Sequence, residues 1–349
     1  MSVRPLALWC LPVSDVGGVL RHAIDVAQTG MDRHRLVFVV PPGPAVTLLR
    51  GAGAPVISAP VGVDDGPVKA TRALSRITRS LRPAVVHSHL AFADVVLAAA
   101  ALPRGTHRVT TEHGIAAQHD LYHSGAVRQA LTPRLHAARL TRFNAAIAVS
   151  HATAHEMRRQ WRAHLPIHVL HNGVDAAPRT PSIGRRILVL SRLAPEKRID
   201  LLLHAFARLR SDDARWTVTI GGGGELRQDL HLLAKELGVD EAVSFPGFID
   251  ARSALRDHDV LVQLSDWENC SYSLLDAVAA GLGVVASNVG GNSEFLPPQA
   301  LTSGAEAEVA FRIEEQALST ESRPNLPPGW PSIAHMIDQI ETVYEELRS

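Results

Sequence analysis

The stretch ILVLSRLAPEKRIDLLLHAFARL, residues 187–209, changes its hydrophobic period partway along. The unbroken apolar run at 187–190 reads as a strand covered on both faces. From Ile199 onward the apolar residues recur at three- and four-residue steps, the period of an amphipathic helix. Between them lies a polar loop in which Pro195 and Glu196 suit a helix entrance, because proline lacks an amide that would be orphaned there and a carboxylate faces the positive end of the helix dipole. A buried strand feeding a covering helix is the unit from which parallel sheets are built.

The same alternation runs through the rest of the chain. In the first half LALWCLP, RLVFVVPP, AVVHSHL, HRVTTEHG and AAIAVS read as strands, separated by helical runs such as 18–29, 68–81 and 151–160. In the second half RILVLS, WTVTIGG, AVSFPG, VLVQLS and GVVAS alternate with helical runs near 199–210, 225–237 and 273–280. The segment HNGVDAAPRTPSIGRR (171–186), rich in proline and glycine, reads as a linker, and the tail SIAHMIDQIETVYEELRS as a helix. The expectation is an α/β protein of two doubly wound domains, residues 1–172 and 173–331, with ligands bound beyond the carboxyl ends of the strands.

The 349-residue composition, 46% hydrophobic and 20% charged, is that of a soluble globular chain. Cys10 and Cys270 form no zinc or disulfide pattern, and a cytoplasmic location fits two isolated cysteines and the absence of a readable signal peptide or spanning segment. The net charge of zero hides an asymmetry. Residues 1–172 carry 19 Lys and Arg against 9 Asp and Glu, and the remainder 16 against 26, so the halves stand at +10 and −10. An anionic partner for the first half follows from that split.

Three motifs carry chemistry. In the loop of 187–209, Arg192 and Lys197 place two cations beside a helix amino end, an arrangement that suits a diphosphate; an ordinary solvated loop is the competing reading. Gly221 to Gly224 join a strand to a helix, so that backbone amides near Gly222 and Gly223 can approach a ligand; Leu226 breaks the GxGxxG fingerprint of an NAD site. In SDWENCSYSLLDAVAAGLGVVAS (265–287), Ser273 and Asp276 have the spacing of a capping box, which accounts for Asp276 but not for Glu268 in the preceding loop. Two carboxylates around a helix entrance can accept paired hydrogen bonds from the vicinal hydroxyls of a sugar and a ribose.

With these motifs in place, the second half resembles the donor domain of family 4 glycosyltransferases, retaining enzymes of the GT-B fold. The resemblance rests on HNGVD, SRLAPEKRIDLLLHAF, GGGGEL, FPGF, an E-x7-E-type element and AAGLGVVASNVGGNSEFL, over about 120 residues. It implies two Rossmann-like domains facing across a cleft, acceptor in the first and nucleotide sugar in the second, with the helix 332–349 returning to the first domain. It further implies that Arg192 and Lys197 bind the donor diphosphate, Glu268 the sugar hydroxyls, Ser271, Tyr272 and Ser273 sugar or phosphate, and Asp276 the ribose, with Gly222, Gly223 and Phe248 also lining the donor site. In the first half, Gly17 and Gly18 match the family's glycine loop near the phosphates, and His113 a histidine beside the reacting sugar. The chain departs from the family pattern in having Asp276 for a second glutamate, Cys270 and Ser271 for an aromatic and a glycine, and Ser191 and Arg198 where glycines are common.

The implied activity is retaining transfer of a sugar from a UDP- or GDP-sugar to a hydroxyl of a glycan, lipid-linked or small-molecule acceptor, in cell-surface polysaccharide or glycoconjugate synthesis, without metal or cofactor. Two alternatives stand beside it: a sugar-nucleotide-binding protein without turnover, and an NAD-dependent oxidoreductase. His87 and His89 alternate at a strand end, so that only one is expected to face the ligand, and metal ligation by these or by His151 and His155 lacks a completing carboxylate or cysteine. Lys69, Arg72, Arg76 and Arg79 line one helix face, either as a solvated surface or as a peripheral contact with anionic membrane. No aromatic platform accompanies them, which disfavours nucleic acid.

Overall fold

The structure, a computed structural model, describes residues 4–14, 17–114, 134–177 and 182–348. It divides into two compact units, Met1–Gly173 with Pro331–Ser349, and Val174–Trp330. Each is built on one all-parallel sheet. In the first unit the strands β1 (Leu6–Cys10), β2 (Arg35–Val40), β3 (Val56–Ser58), β4 (Val85–His89), β5 (His107–Glu112), β6 (Ala145–Ala148) and β7 (Ile167–Val169) lie in the order 3-2-1-4-5-6-7. In the second, β8 (Arg186–Leu190), β9 (Thr217–Gly221), β10 (Val243–Gly247), β11 (Val260–Gln263), β12 (Gly283–Ser287) and β13 (Leu301–Thr302) follow the order 10-9-8-11-12-13. Both sheets are doubly wound, reversing direction between β1 and β4 and between β8 and β11.

Most of the strands that the apolar runs mark are interior to their sheets, where burial on both faces demands continuous hydrophobicity; β1, LALWC, is buried throughout, whereas β10, read from AVSFPG, is an edge strand. Those the pattern does not reveal, β3, β7 and β13, are edge strands of two or three residues, too short to show a period. Helices α1 (Gly18–Thr29), α2 (Pro44–Gly51), α3 (Pro67–Leu81) and α4 (Ala91–Ala99) belong to the first unit, and Ile199–Asp212 and Glu306–Leu318 pack on each other in the second. The core of the second unit gathers Ile187, Phe206, Trp216, Ile220, Val262 and Ile313.

The terminal helix Ile333–Glu346 is part of the first unit's core. Its Met336, Ile337, Ile340 and Tyr344 pack with Trp9, Leu20, Phe38 and Leu49. Where the chain enters this helix it passes so close to Gly173 that a Cβ there would lie 2.5 Å from the Ser332 carbonyl. Buried Glu341 accepts from the amides of Asp32 (3.0 Å) and Arg33 (2.9 Å) and pairs with His34 Nδ1 (2.9 Å). Tyr344 joins the helix to the sheet: its hydroxyl accepts from Trp9 Nε1 at 2.9 Å and lies 2.5 Å from His87 Nδ1. The phenol oxygen accepts the indole N–H and pairs with His87 Nδ1, while His87 Nε2 pairs with Thr111 Oγ1 at 2.7 Å, so both imidazole nitrogens are engaged.

His22, His87 and His89 lie around Trp9 in this core, with His22 stacked on the indole at 5.5 Å and 9°. Burial drives His22 down to about 4 and holds His87 and His89 well below the ordinary imidazole value. All three are neutral near pH 7.

Tyr344→Phe keeps the packing but leaves an indole N–H and an imidazole nitrogen without their partner, so a loss of about 1–3 kcal/mol is expected in urea unfolding. A change within 0.5 kcal/mol would show that the hydroxyl adds nothing, on the scale of ordinary surface substitutions. For His22, folding depresses the pKa, so between pH 6.5 and about 4 the unfolded chain binds a proton that the folded chain refuses; stability is full above that window and falls as pH drops through it. Glu112, raised to about 7 by burial, opposes this slope, so the measurement is the difference between wild type and His22→Gln. The variant should lose less stability between pH 7 and 5, and parallel curves would refute the assignment.

Candidate active site

Because β8 and β11 are neighbours, with Ile187 opposite Val260 and Leu188 opposite Leu261, the loops that leave their carboxyl ends start side by side. This is the reversal point of the second sheet, where the following connections run to opposite sides and a crevice opens. The β8 loop carries Lys197 and the β11 loop carries Glu268. Lys197 Nζ donates to Glu268 Oε2 at 3.0 Å, although 71 residues separate them, and both side chains are largely withdrawn from solvent, at 13% and 15% exposure.

Three polar groups complete this centre. Ser265 Oγ lies 3.3 Å from Lys197 Nζ, Gln263 Nε2 donates to Glu268 Oε2, and Ser271 Oγ donates to Gln263 Oε1 at 2.8 Å. The Trp267 ring lies beneath the ammonium, 5.8 Å from its centroid. Gln263 and Ser265 escape the sequence reading, yet both sit at the polar end of an otherwise apolar strand, VLVQLS, which is the signal that marks them. Arg192 is held differently. It remains 60% exposed and donates to the buried Glu196 at 2.6 Å, so the two loop cations are each paired with a carboxylate of their own.

Arg198 adopts φ 48°, a left-handed conformation that glycine reaches without strain. Here the arginine is retained and reaches Asp266 Oδ1 at 3.3 Å, adding a second tie between the β8 and β11 loops.

The glycine run proves to have an intramolecular role. Gly222 and Gly224 have φ of 140° and 159°, and a Cβ on them would lie 1.9 Å from the Ser191 carbonyl and 2.3 Å from that of Leu193. Hydrogen bonds Ser191 N to Gly221 O (3.1 Å) and Leu193 N to Gly223 O (2.9 Å) lock the two loops together. The glycines thus position the loop bearing Arg192 by close backbone approach. Phe248 is 79% exposed, its ring 3.3 Å from where a Gly223 Cβ would stand. Gly290, part of the quoted NVGGNSEFL motif but given no role in the sequence reading, lies hard against the Glu268 carbonyl, where a Cβ would be 1.6 Å away.

The capping-box account of Asp276 does not hold. The helix is Tyr272–Ala279 and its N-cap is Ser271, whose hydroxyl accepts from Leu274 N; Asp276 therefore lies beyond the cap positions, half-buried one turn from Ser273. Ser273 Oγ donates instead to Leu190 O at 3.4 Å, and Tyr272 is buried.

In the first unit the corresponding reversal lies between β1 and β4. Gly17 caps α1 in extended backbone (φ −169°), and a Cβ on Gly17 or Gly18 would meet nothing within 4 Å, so these glycines border open space. His113 follows β5 directly, and its Nε2 lies 2.9 Å from His89 Nδ1. His87 and His89 do not divide between faces: positions two apart on a strand share one, and their rings stack at 4.4 Å. His22, absent from the sequence reading because a lone helical histidine carries no spacing signal, joins them with its ring 5.0 Å from His113. One nitrogen each of His22, His89 and His113 falls within 4.8 Å of the others, a set able to approach a divalent metal, and His89 Nδ1 and His113 Nε2 stand at hydrogen-bonding distance. Beneath this layer Arg139 bridges Asp94 (3.1 Å) and Glu112 (3.3 Å), a buried triad equally invisible in the sequence. On α3, Lys69 pairs with Asp65 at 2.8 Å while Arg72, Arg76 and Arg79 are exposed. His151 and His155 lie exposed on the helix His151–Trp161. No helix among the described residues is long and apolar enough to cross a membrane.

Comparison with known proteins agrees with this architecture. The family model for glycosyltransferase family 4 matches residues 16–178, and that for glycosyl transferases group 1 matches residues 176–310. The chain is 32% identical over 230 residues to the glycogen synthase of Mycobacterium tuberculosis, covering 62% of this chain and 55% of that protein. Over 144 residues it is 31% identical to a GDP-mannose-dependent phosphatidylinositol monomannoside mannosyltransferase of Mycolicibacterium smegmatis, covering 38% of this chain and 36% of that protein. It thus spans little more than half the length of the first of these curated relatives and about a third of the second. Among solved structures, HepE of Anabaena, crystallised with UDP, superposes with a TM-score of 0.78 at 20% identity over 98% of this chain and all of that one. Sucrose-phosphate synthase of Thermosynechococcus elongatus gives 0.79 at 16% identity, covering 98% and 99%. With two family models that together span residues 16–310 and a fold shared with GT-B enzymes, the chain belongs to the group 1 glycosyltransferases of family 4.

Proposed function

We propose that this chain transfers a sugar, with retention of anomeric configuration, from a nucleoside-diphosphate sugar held by the second unit to a hydroxyl of an acceptor bound by the first. The observation that carries the reading is the Lys197–Glu268 pair at the reversal point of the second sheet. A withdrawn ammonium beside a withdrawn carboxylate is suited to a donor whose diphosphate is anionic and whose sugar presents hydroxyls. Support comes from HepE, which has been solved with UDP and with UDP-glucose.

In this reading Lys197 and Arg192 stabilise the negative charge that develops on the departing diphosphate, and Glu268 accepts hydrogen bonds from sugar hydroxyls. Ser265 and Gln263 keep Lys197 and Glu268 aligned, so little reorganisation accompanies the reaction. The bond from the anomeric carbon to the phosphate oxygen breaks as that carbon bonds to the acceptor oxygen on the same face. The acceptor proton moves to the leaving phosphate oxygen. Asp276 takes the ribose hydroxyls, and the family resemblance assigns His113 to the reacting sugar and Gly17 and Gly18 to the phosphates. The leaving-group charge is assigned to the two cations and not to a metal ion. The exposed Arg72, Arg76 and Arg79 favour an acceptor presented at an anionic membrane surface.

Lys197→Ala should lower kcat by roughly 10²–10³, the usual effect of removing one group that stabilises developing charge. Glu268 keeps Gln263 and Ser265 as partners, so circular dichroism should be unchanged; a near-normal rate would remove the leaving-group role. In a thermal-shift panel UDP or GDP should stabilise the protein and NAD should not. Stabilisation by NAD alone would overturn the donor assignment, and nucleotide binding with no sugar transfer or donor hydrolysis would leave a binding protein instead of an enzyme.

A further inference from the structure

A cavity of about 800 Å³ opens on the first unit at the amino ends of its strands. Its walls bring five arginines together from separate segments: Arg4 before β1, Arg35 at the start of β2, Arg79 and Arg82 at the end of α3, and Arg104 before β5. No carboxylate is among the described residues that line it, and none of the five forms an ion pair among the described residues. Arg4 and Arg35 donate to backbone carbonyls, which leaves their charge uncompensated. The guanidiniums of Arg79, Arg82 and Arg104 are exposed and make no hydrogen bond among the described residues.

The ordinary explanation for cations in such a place is a helix carboxyl end, where positive side chains meet the negative pole of the dipole. It accounts for Arg79 and Arg82 at most; Arg4, Arg35 and Arg104 precede or open strands. Arg82 also occupies φ 47°, where glycine would be unstrained, so the guanidinium is kept at a conformational cost. Uncompensated like charges in one concavity repel, and a multiply charged anion removes that repulsion. Arginine's planar fork matches phosphoryl oxygens in a way that a lysine patch does not.

We propose that this cavity binds a phosphoryl anion carrying several negative charges, either a free polyphosphate-bearing small molecule or the headgroup of an anionic phospholipid. The site lies at the end of the first sheet opposite the Gly17–Gly18 loop, since β1 runs its full length from Leu6 beside the cavity to Cys10 before that loop. It is therefore separate from the Gly17–Gly18 loop, shares only Arg79 with the exposed arginine face of α3, and does not rest on the transferase reading.

The test compares wild type with Arg82→Gly/Arg104→Ser, in which glycine relieves the left-handed residue, and with Arg158→Ser/Arg159→Ser, exposed arginines on the helix His151–Trp161 of the same unit outside the cavity. Calorimetric titration with inorganic tripolyphosphate at constant ionic strength reads the free ligand. Flotation with phosphatidylcholine vesicles, with and without phosphatidylglycerol, reads the lipid. Binding in either arm that weakens at least tenfold in the cavity variant, and less than threefold in the helix variant, supports the site, the responding arm naming its source. Binding in neither arm overturns it, as does binding that the cavity variant retains or that both variants lose equally.

Discussion

Everything in the second unit is arranged around the ion pair of Lys197 and Glu268, because a carboxylate and an ammonium so far withdrawn from water are stable only when each has its partners in place. The sheet supplies the first requirement by making β8 and β11 adjacent, so that loops 71 residues apart begin together. The glycines at 221–224 supply the second by letting a neighbouring turn support the β8 loop through backbone contact. Gly290 does the same for the β11 loop at Glu268. Gln263, Ser265 and Ser271 then fill the remaining hydrogen-bonding capacity, which orients the pair before any ligand arrives.

The first unit solves a different problem. Its central layer is built from groups that titrate, His22, His87, His89 and His113, and it keeps them neutral by burial. Neutral imidazoles still need hydrogen bonds. Tyr344 provides one of them from the last helix of the chain, so the carboxyl-terminal segment completes the core of a unit whose other residues come from the amino-terminal half. The Arg139 triad with Asp94 and Glu112 lies beneath this layer, on the sheet face from which Ser88 and Thr110 reach Asp94, and desolvation raises both carboxyls despite the nearby guanidinium.

The +10 charge of residues 1–172 is not spread evenly in function. Arg139 and Arg21 are consumed by internal carboxylates, and Arg33 by the terminal helix. Among the described residues, Arg72, Arg76 and Arg79 on α3 and Arg4, Arg35, Arg82 and Arg104 near the amino ends of the strands form no ion pair.

The linear order of residues determined the α/β class, the central strands, the terminal helix and the two segments that supply Lys197 and Glu268, because continuous apolar runs and helical periods report burial directly. It also marked Asp276, although the cap that would have explained it belongs to Ser271. Short edge strands, the histidine layer, the Arg139 triad and the partners Gln263, Ser265 and Gly290 were decided only by tertiary structure. Each of these depends on which strands become neighbours, and adjacency in a doubly wound sheet is set by topology at a distance that no local period encodes. The glycine run is the sharpest instance: its composition is visible in the sequence, but its reason, two carbonyls closer than any Cβ tolerates, exists only once β8 and β9 lie side by side.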